Sequence, residues 1–159
     1  MHRYALALLI VTSPFSAFAA ELPKEGSYDF NSCWSGVNNA ITFSKTQTAT
    51  SFEMTGTSRS NPPGGIFDKS TFRCVGMSAS LDGKITGSTV CESIDADGEK
   101  RLTYFSTAEG KTTRTNVAGT GKYEGMITTG TVELLGPFPV IKDGTFQNCN
   151  HQTGTYKLK

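Results

Sequence analysis

The sequence predicts an all-β domain, a closed antiparallel β-barrel of about eight strands with two disulfides, and three observations lead there. Short alternating stretches rich in Thr, Val, Ile, Phe and Tyr recur along the chain. Acidic-glycine pairs punctuate them at Asp82-Gly83, Asp97-Gly98, Glu109-Gly110 and Asp143-Gly144. Past the N-terminal segment, no window repeats apolar residues at helical spacing for even three turns. An Asp-Gly pair between alternating segments is a strong hairpin signal, because glycine accepts the positive φ that a two-residue turn demands. The chain therefore reads as an antiparallel meander, with strands near 28–35, 40–46, 50–58, 70–81, 84–94, 101–107, 111–118, 124–134, 138–142 and 145–157. Asn61-Pro62-Pro63-Gly64-Gly65 is a loop by composition. Helix-free strands must bury their apolar faces on one another, as a closed barrel or a β-sandwich. Closure removes exposed edges and is the expectation.

At the N-terminus, Arg3 precedes an uncharged run from Tyr4 to Val11, and the small-residue pattern Ala17-Phe18-Ala19 follows. That is the three-part layout of a secretory signal peptide. Residues 1–19 are expected as a cleaved leader, with Ala20 the alternative cleavage point, and 20–159 as a single periplasmic or secreted domain. The apolar run falls far short of the roughly 20 residues that cross a bilayer, and no later stretch is longer, so no membrane span is expected. About 140 mature residues suffice for one domain with a hydrophobic core. The whole chain has 15 Lys and Arg against 14 Asp and Glu. Arg3 leaves with the leader, so the mature domain is formally neutral and lacks the clustered basic excess of a nucleic-acid binder.

All four cysteines, Cys33, Cys74, Cys91 and Cys149, lie in the mature part, and an even number in an exported chain predicts two bridges. A zinc site would want Cys-x-x-Cys spacing, which is not present, and no metal or cofactor is expected. With Asp82-Gly83 as a two-residue turn, Leu81 faces Lys84 and Cys74 falls directly across from Cys91. Counting outward, that pair is non-hydrogen-bonded, with Cα atoms about 4.5 Å apart and within reach of a disulfide. Cys33 and Cys149 then form the second bridge and tie the first strand region to the last.

Reaction chemistry is thinly supplied, and the catalytic residues stay unassigned. The mature chain has a single histidine, His151, in a polar run beside Cys149. No phosphate loop, dinucleotide fingerprint or paired-His metal signature occurs. Extending the register argument through a two-residue turn at Asp97-Gly98 lines up Arg73, Glu92 and Thr103 across three strands, with Arg101 diagonal to Glu92. The same face carries Val75, Met77, Val90, Ile94 and Phe105, which suggests that it points inward. Arg73, Glu92, Arg101 and Phe105 are therefore the candidate ligand-binding residues, the charges fixing the polar end of a ligand. The alternative is a solvent-facing salt-bridge ladder of little energetic worth, since a one-residue slip in either turn moves the set to the other face. Trp34, Tyr104, Tyr123 and Tyr156 read as core or barrel filler, with Trp34 packing on the disulfide of its neighbour Cys33.

The stretch Val117-Ala118-Gly119-Thr120-Gly121-Lys122-Tyr123-Glu124-Gly125 resembles the Gly-Gly-Thr-Gly-x-Phe/Tyr-x-Gly segment of the allene oxide cyclase and dirigent-protein barrels. Ala118 stands where the first glycine is usual, and Thr128 where a further one follows. The resemblance implies an eight-stranded antiparallel barrel with a largely apolar central cavity, in a family whose members bind or cyclise hydrophobic small molecules. It carries no catalytic residue onto this chain. Three functions follow as expectations. The first is a binding barrel for a small, mostly apolar ligand. The second is an interaction or inhibitor module for an envelope or secreted protein, contacting it through the Asn61–Gly65 loop. The third is a cyclase or isomerase with Glu92 or Glu124 as its acid or base.

Overall fold

A computed structural model describes residues 23–159. The leader expected at 1–19 lies outside the described residues. Eight antiparallel strands, β1 (Glu25–Thr42), β2 (Gln47–Ser60), β3 (Ser70–Leu81), β4 (Lys84–Ile94), β5 (Lys100–Ala108), β6 (Lys111–Gly119), β7 (Ile127–Leu134) and β8 (Thr145–Lys157), form one sheet. Its order is β6-β5-β4-β3-β2-β1-β8-β7. The sheet curls into a nearly closed barrel whose seam lies where β6 and β7 approach each other. Both disulfides form as expected, Cys33–Cys149 and Cys74–Cys91. Cys33 and Cys149 sit directly opposite each other on the paired strands β1 and β8, so that bridge clamps neighbouring strands within the sheet and does not cross the seam.

The turns explain which register expectations hold. Asp82 and Gly83 both have positive φ, 52° and 81°, as a two-residue primed turn requires. Leu81 then faces Lys84 and Cys74 faces Cys91, as the sequence predicts. Glu109-Gly110 repeats the same turn, with φ of 52° and 78°. Asp97-Gly98 differs. The Asp95 amide donates to the Glu99 carbonyl, and Gly98 alone turns to positive φ, 83°. That is a three-residue loop with a bulge glycine. The Asp95 carboxylate fixes it by accepting the amides of Asp97 and Glu99 at 2.9 and 3.0 Å. The extra residue slides β5 by one, so Glu92 faces Leu102, Thr103 faces Cys91 and Arg101 faces Ser93. Two strand expectations also change. Residues 40–46 are not a strand of their own, because β1 runs to Thr42 and the chain turns over 43–46. Residues 138–142 form no strand, since Pro137 and Pro139 lack the N–H a ladder needs.

Side chains divide the barrel into a filled end and an open end. At the filled end the loop after β2 folds back into the barrel. The Asp68 carboxylate accepts the Ser60 and Gly64 amides at 3.1 and 2.9 Å, and Ile66 and Phe67 enter the core as a plug with Tyr28, Phe30, Tyr123, Met126 and Tyr156. Phe67 is fully buried and meets Tyr28 and Phe30 edge-on, with ring centroids 5.2 Å apart in both pairs, a geometry worth about 0.5–1.5 kcal/mol per pair beyond area burial. The glycine-rich stretch 117–125 closes the same end. A 3₁₀ turn at Gly121–Tyr123 follows β6, and the Tyr123 hydroxyl lies 2.9 Å from both the Ile66 carbonyl and Asp95 Oδ2. Lys122 Nζ sits 2.6 Å from carboxylate oxygens of Asp95 and Asp97. Burial alone would lower the lysine's pKa, but these two acids hold it above its ordinary value.

Candidate functional site

The interior above the plug is lined by an unusual mixture. Phe30, Phe52, Phe72, Phe105 and Phe146 supply rings, while Ser78, Thr89, Thr103, Thr107 and Thr112 supply small polar side chains. In an eight-stranded barrel the lumen is just wide enough for side chains to fill or for one small ligand. Serine and threonine at these inward positions leave it unfilled, and a cavity of about 730 Å³ results. That falls within the roughly 300–1,000 Å³ of small-molecule sites. The Cys74–Cys91 disulfide lies on its wall, and the segment after β7 crosses beside it, contributing Pro137, Phe138 and Val140. Two of the deeper hydroxyls satisfy each other, Ser32 Oγ to Ser58 Oγ at 2.6 Å.

The floor of the cavity, next to the plug, carries two guanidinium groups. Arg101 is only 5% exposed, and its Cζ stacks 3.9 Å above the Phe67 ring centroid. Arg114 Cζ lies 5.1 Å from the same ring and 5.4 Å from that of Tyr28. Among the described residues neither forms an ion pair. Arg101 Nη1 and Arg114 Nε and Nη1 are shut off from solvent without a hydrogen-bond partner. Burial pulls the Arg101 pKa down, and the neighbouring Arg114 charge pulls it further, to about 9. Burial likewise lowers Arg114, with Tyr28 acting in the opposite sense. A group at about 9 remains cationic at neutral pH.

The sequence-predicted site residues are split between the two faces of the sheet. Arg101 and Phe105 line the cavity. Arg73 and Glu92 face each other in register, as expected, but on the outer surface. There Arg73 Nε pairs with Glu53 Oε1 at 2.8 Å, and Glu92 Oε1 with Lys100 Nζ at 2.8 Å. The apolar residues expected inside are outside with them, Val75 51% and Met77 59% exposed, and Val90 and Ile94 exposed as well. The three-residue loop carries Arg101 and Thr103 to the opposite face from Glu92, and apolar character does not mark the inside of this barrel, where serines and threonines stand beside phenylalanines while Val75, Met77, Val90 and Ile94 lie outside. Trp34 points into the cavity while Cys33 is exposed, because consecutive strand residues alternate faces. Tyr123 and Tyr156 are core, and Tyr104 is outside. Glu124 is exposed in its turn. His151 Nε2 meets Asp29 Oδ1 at 2.9 Å, both side chains about one-third exposed (34% and 38%).

Arg114 was missed, yet a signal for it existed. The Glu109-Gly110 turn has the same form as Asp82-Gly83, and counting outward from it sets Arg114 directly across from Phe105. No family model, curated protein or solved structure matches the chain. Among the described residues, no group of three or more His, Cys, Asp or Glu is placed to hold a metal ion, and no helix is long and apolar enough to cross a membrane.

Proposed function

We propose that this chain is an exported binding barrel that holds a small, mostly apolar ligand in its lumen, in the periplasm or outside the cell. The observation that carries the reading is the cavity of about 730 Å³, in which phenylalanine rings supply the apolar wall, two arginines the floor, and serine and threonine hydroxyls with the amides of Gln147, Asn148, Asn150 and Gln152 the remaining polar lining. Burial of an apolar ligand there gains about 25 cal/mol per Å² removed from water. The rigid, disulfide-stapled wall limits the ordering cost of binding. Arg101 and Arg114 form the polar end of the site, and Phe105 and Phe146 belong to its apolar wall. The bridges support an oxidising compartment. The resemblance to the allene oxide cyclase and dirigent barrels points the same way in kind, as an analogy of fold. A carboxylate-based cyclase is the weaker reading, since Glu92 and Glu124 both lie away from the cavity.

The neutral fluorophore N-phenylnaphthylamine tests this. It is expected to bind saturably, at one molecule per chain, with enhanced blue-shifted emission. Thr89 sits in register between Gly76 and Phe105 and lines the lumen, so Thr89→Trp, checked for folding by circular dichroism, should weaken binding by about tenfold or more as the ring occupies the cavity. Val90→Thr, one residue along on the outer face, should leave affinity unchanged. Equal losses in the two variants, or no saturable binding by the folded wild type, would refute the reading.

A further inference from the structure

We propose that the ligand is an amphiphile with a single oxyanionic head of the carboxylate kind, bound head-down on Arg101 and Arg114 at the floor of the lumen. This rests on the binding-barrel reading above and names the chemistry of its ligand.

Three observations carry it. The first is charge. Two guanidiniums share the floor, and no carboxylate pairs with either among the described residues. Asp95, the acid nearest in influence to Arg101, is engaged by Lys122, Tyr123 and the Asp97 and Glu99 amides. Buried charge is costly unless paired and hydrogen-bonded, so an arrangement of two like charges is short of an anion.

The second is the polarity of the unsatisfied atoms. Of the buried side-chain atoms without a partner, those on residues lining the lumen are three donors, Arg101 Nη1 and Arg114 Nε and Nη1, against one acceptor, Gln152 Oε1, while Asn116 Nδ2 and Thr128 Oγ1 belong to residues outside that lining. Stacking on Phe67 satisfies the faces of the guanidiniums by cation–π attraction. It leaves the in-plane N–H groups of Arg101 Nη1 and of Arg114 Nε and Nη1 unmet. A donor-rich floor asks for an acceptor-rich group, and the guanidinium fork matches the two oxygens of a carboxylate.

The third is position. Arg101, Arg114 and Gln152 line the same cavity as Phe52, Phe105 and Phe146. The arginines also stack on the plug ring, which places them at the closed end, while the turns joining β3 to β4 and β5 to β6 surround the open one. An anionic head at the floor puts an apolar chain along the phenylalanine wall toward the mouth.

The test uses the mature protein and three ligands of equal chain length, dodecanoate, dodecanol and dodecyl phosphate, each displacing N-phenylnaphthylamine at about pH 8, where the carboxylate is ionised. Wild type is expected to prefer dodecanoate over dodecanol by about tenfold or more, the scale of a charge-assisted hydrogen bond. In Arg114→Met that preference should collapse toward unity, and in Arg73→Met, on the outer face, it should persist. The wild-type comparison stands even if Arg114→Met fails to fold. Equal affinity for dodecanoate and dodecanol in a wild type that binds the fluorophore would overturn the anionic head and leave the apolar cavity intact. Tighter binding of dodecyl phosphate than of dodecanoate would overturn the carboxylate assignment. Absence of saturable fluorophore binding would overturn the binding-barrel reading and this inference with it.

Discussion

Replacing Cys33 and Cys149 together by alanine is expected to cost about 5 kcal/mol of stability, and replacing Cys74 and Cys91 together about 3 kcal/mol. The bridges differ chiefly in the loop each closes, with sequence separations of 116 and 17. In the unfolded chain the longer crosslink removes more conformational freedom, roughly in proportion to the logarithm of loop length. The shorter one closes a hairpin that the Asp82-Gly83 turn already brings together, and so removes less. Burial works against this ordering, because Cys74 and Cys91 are nearly inaccessible and their sulfur atoms leave a gap when removed, worth about 1 kcal/mol. The difference in loop entropy, about 2 kcal/mol, is larger, so the outer pair still dominates. Urea titration of the two double variants gives the answer. A Cys74→Ala/Cys91→Ala protein less stable than Cys33→Ala/Cys149→Ala would show that packing in the lumen wall outweighs chain entropy.

Phe67→Ala is expected to cost about 4 kcal/mol and to lower Tm by about 15 °C. Phe67 is the one aromatic ring in the plug with no exposure at all. Its loss removes the edge-on partners of Tyr28 and Phe30 and the ring beneath both buried guanidiniums. The two cations would then face a void instead of a π-surface, so the cost should sit at the high end for this kind of truncation. Phe67→Leu keeps most of the volume and should cost markedly less. A Tm change of under about 3 °C for Phe67→Ala would mean that the loop after β2 does not serve as the barrel's plug.

The legible parts of this fold were those fixed by backbone chemistry. A primed turn at Asp82-Gly83 sets its register without reference to what lies around it, and the Cys74–Cys91 bridge followed from counting. Tertiary context set the rest. Asp97-Gly98 carries the same dipeptide, yet Asp95 two residues earlier captures the Asp97 and Glu99 amides and makes the loop one residue longer. That single residue decides whether Arg101 lies beside Glu92 or beside the lumen disulfide. Facing is not legible in the sequence, because Val75, Met77 and Val90 have the character of core residues yet lie outside, while the lumen wall sets Ser78, Thr89 and Thr103 among its phenylalanines. A barrel that keeps space for a ligand uses small side chains inside, which weakens the apolar-inward rule for the very strands that form the site. Arg114 was reachable through the Glu109-Gly110 turn, which sets it directly across from Phe105, a residue the sequence already places on the inner face.

The most direct measurement of the central claim is a set of intermolecular nuclear Overhauser contacts between bound N-phenylnaphthylamine and isotope-labelled mature protein. Contacts to the ring protons of Phe52, Phe105 and Phe146 are the predicted result, placing the ligand inside the barrel. Contacts instead to the methyl groups of Val75, Met77 and Val90 would place it on the outer surface and contradict the account.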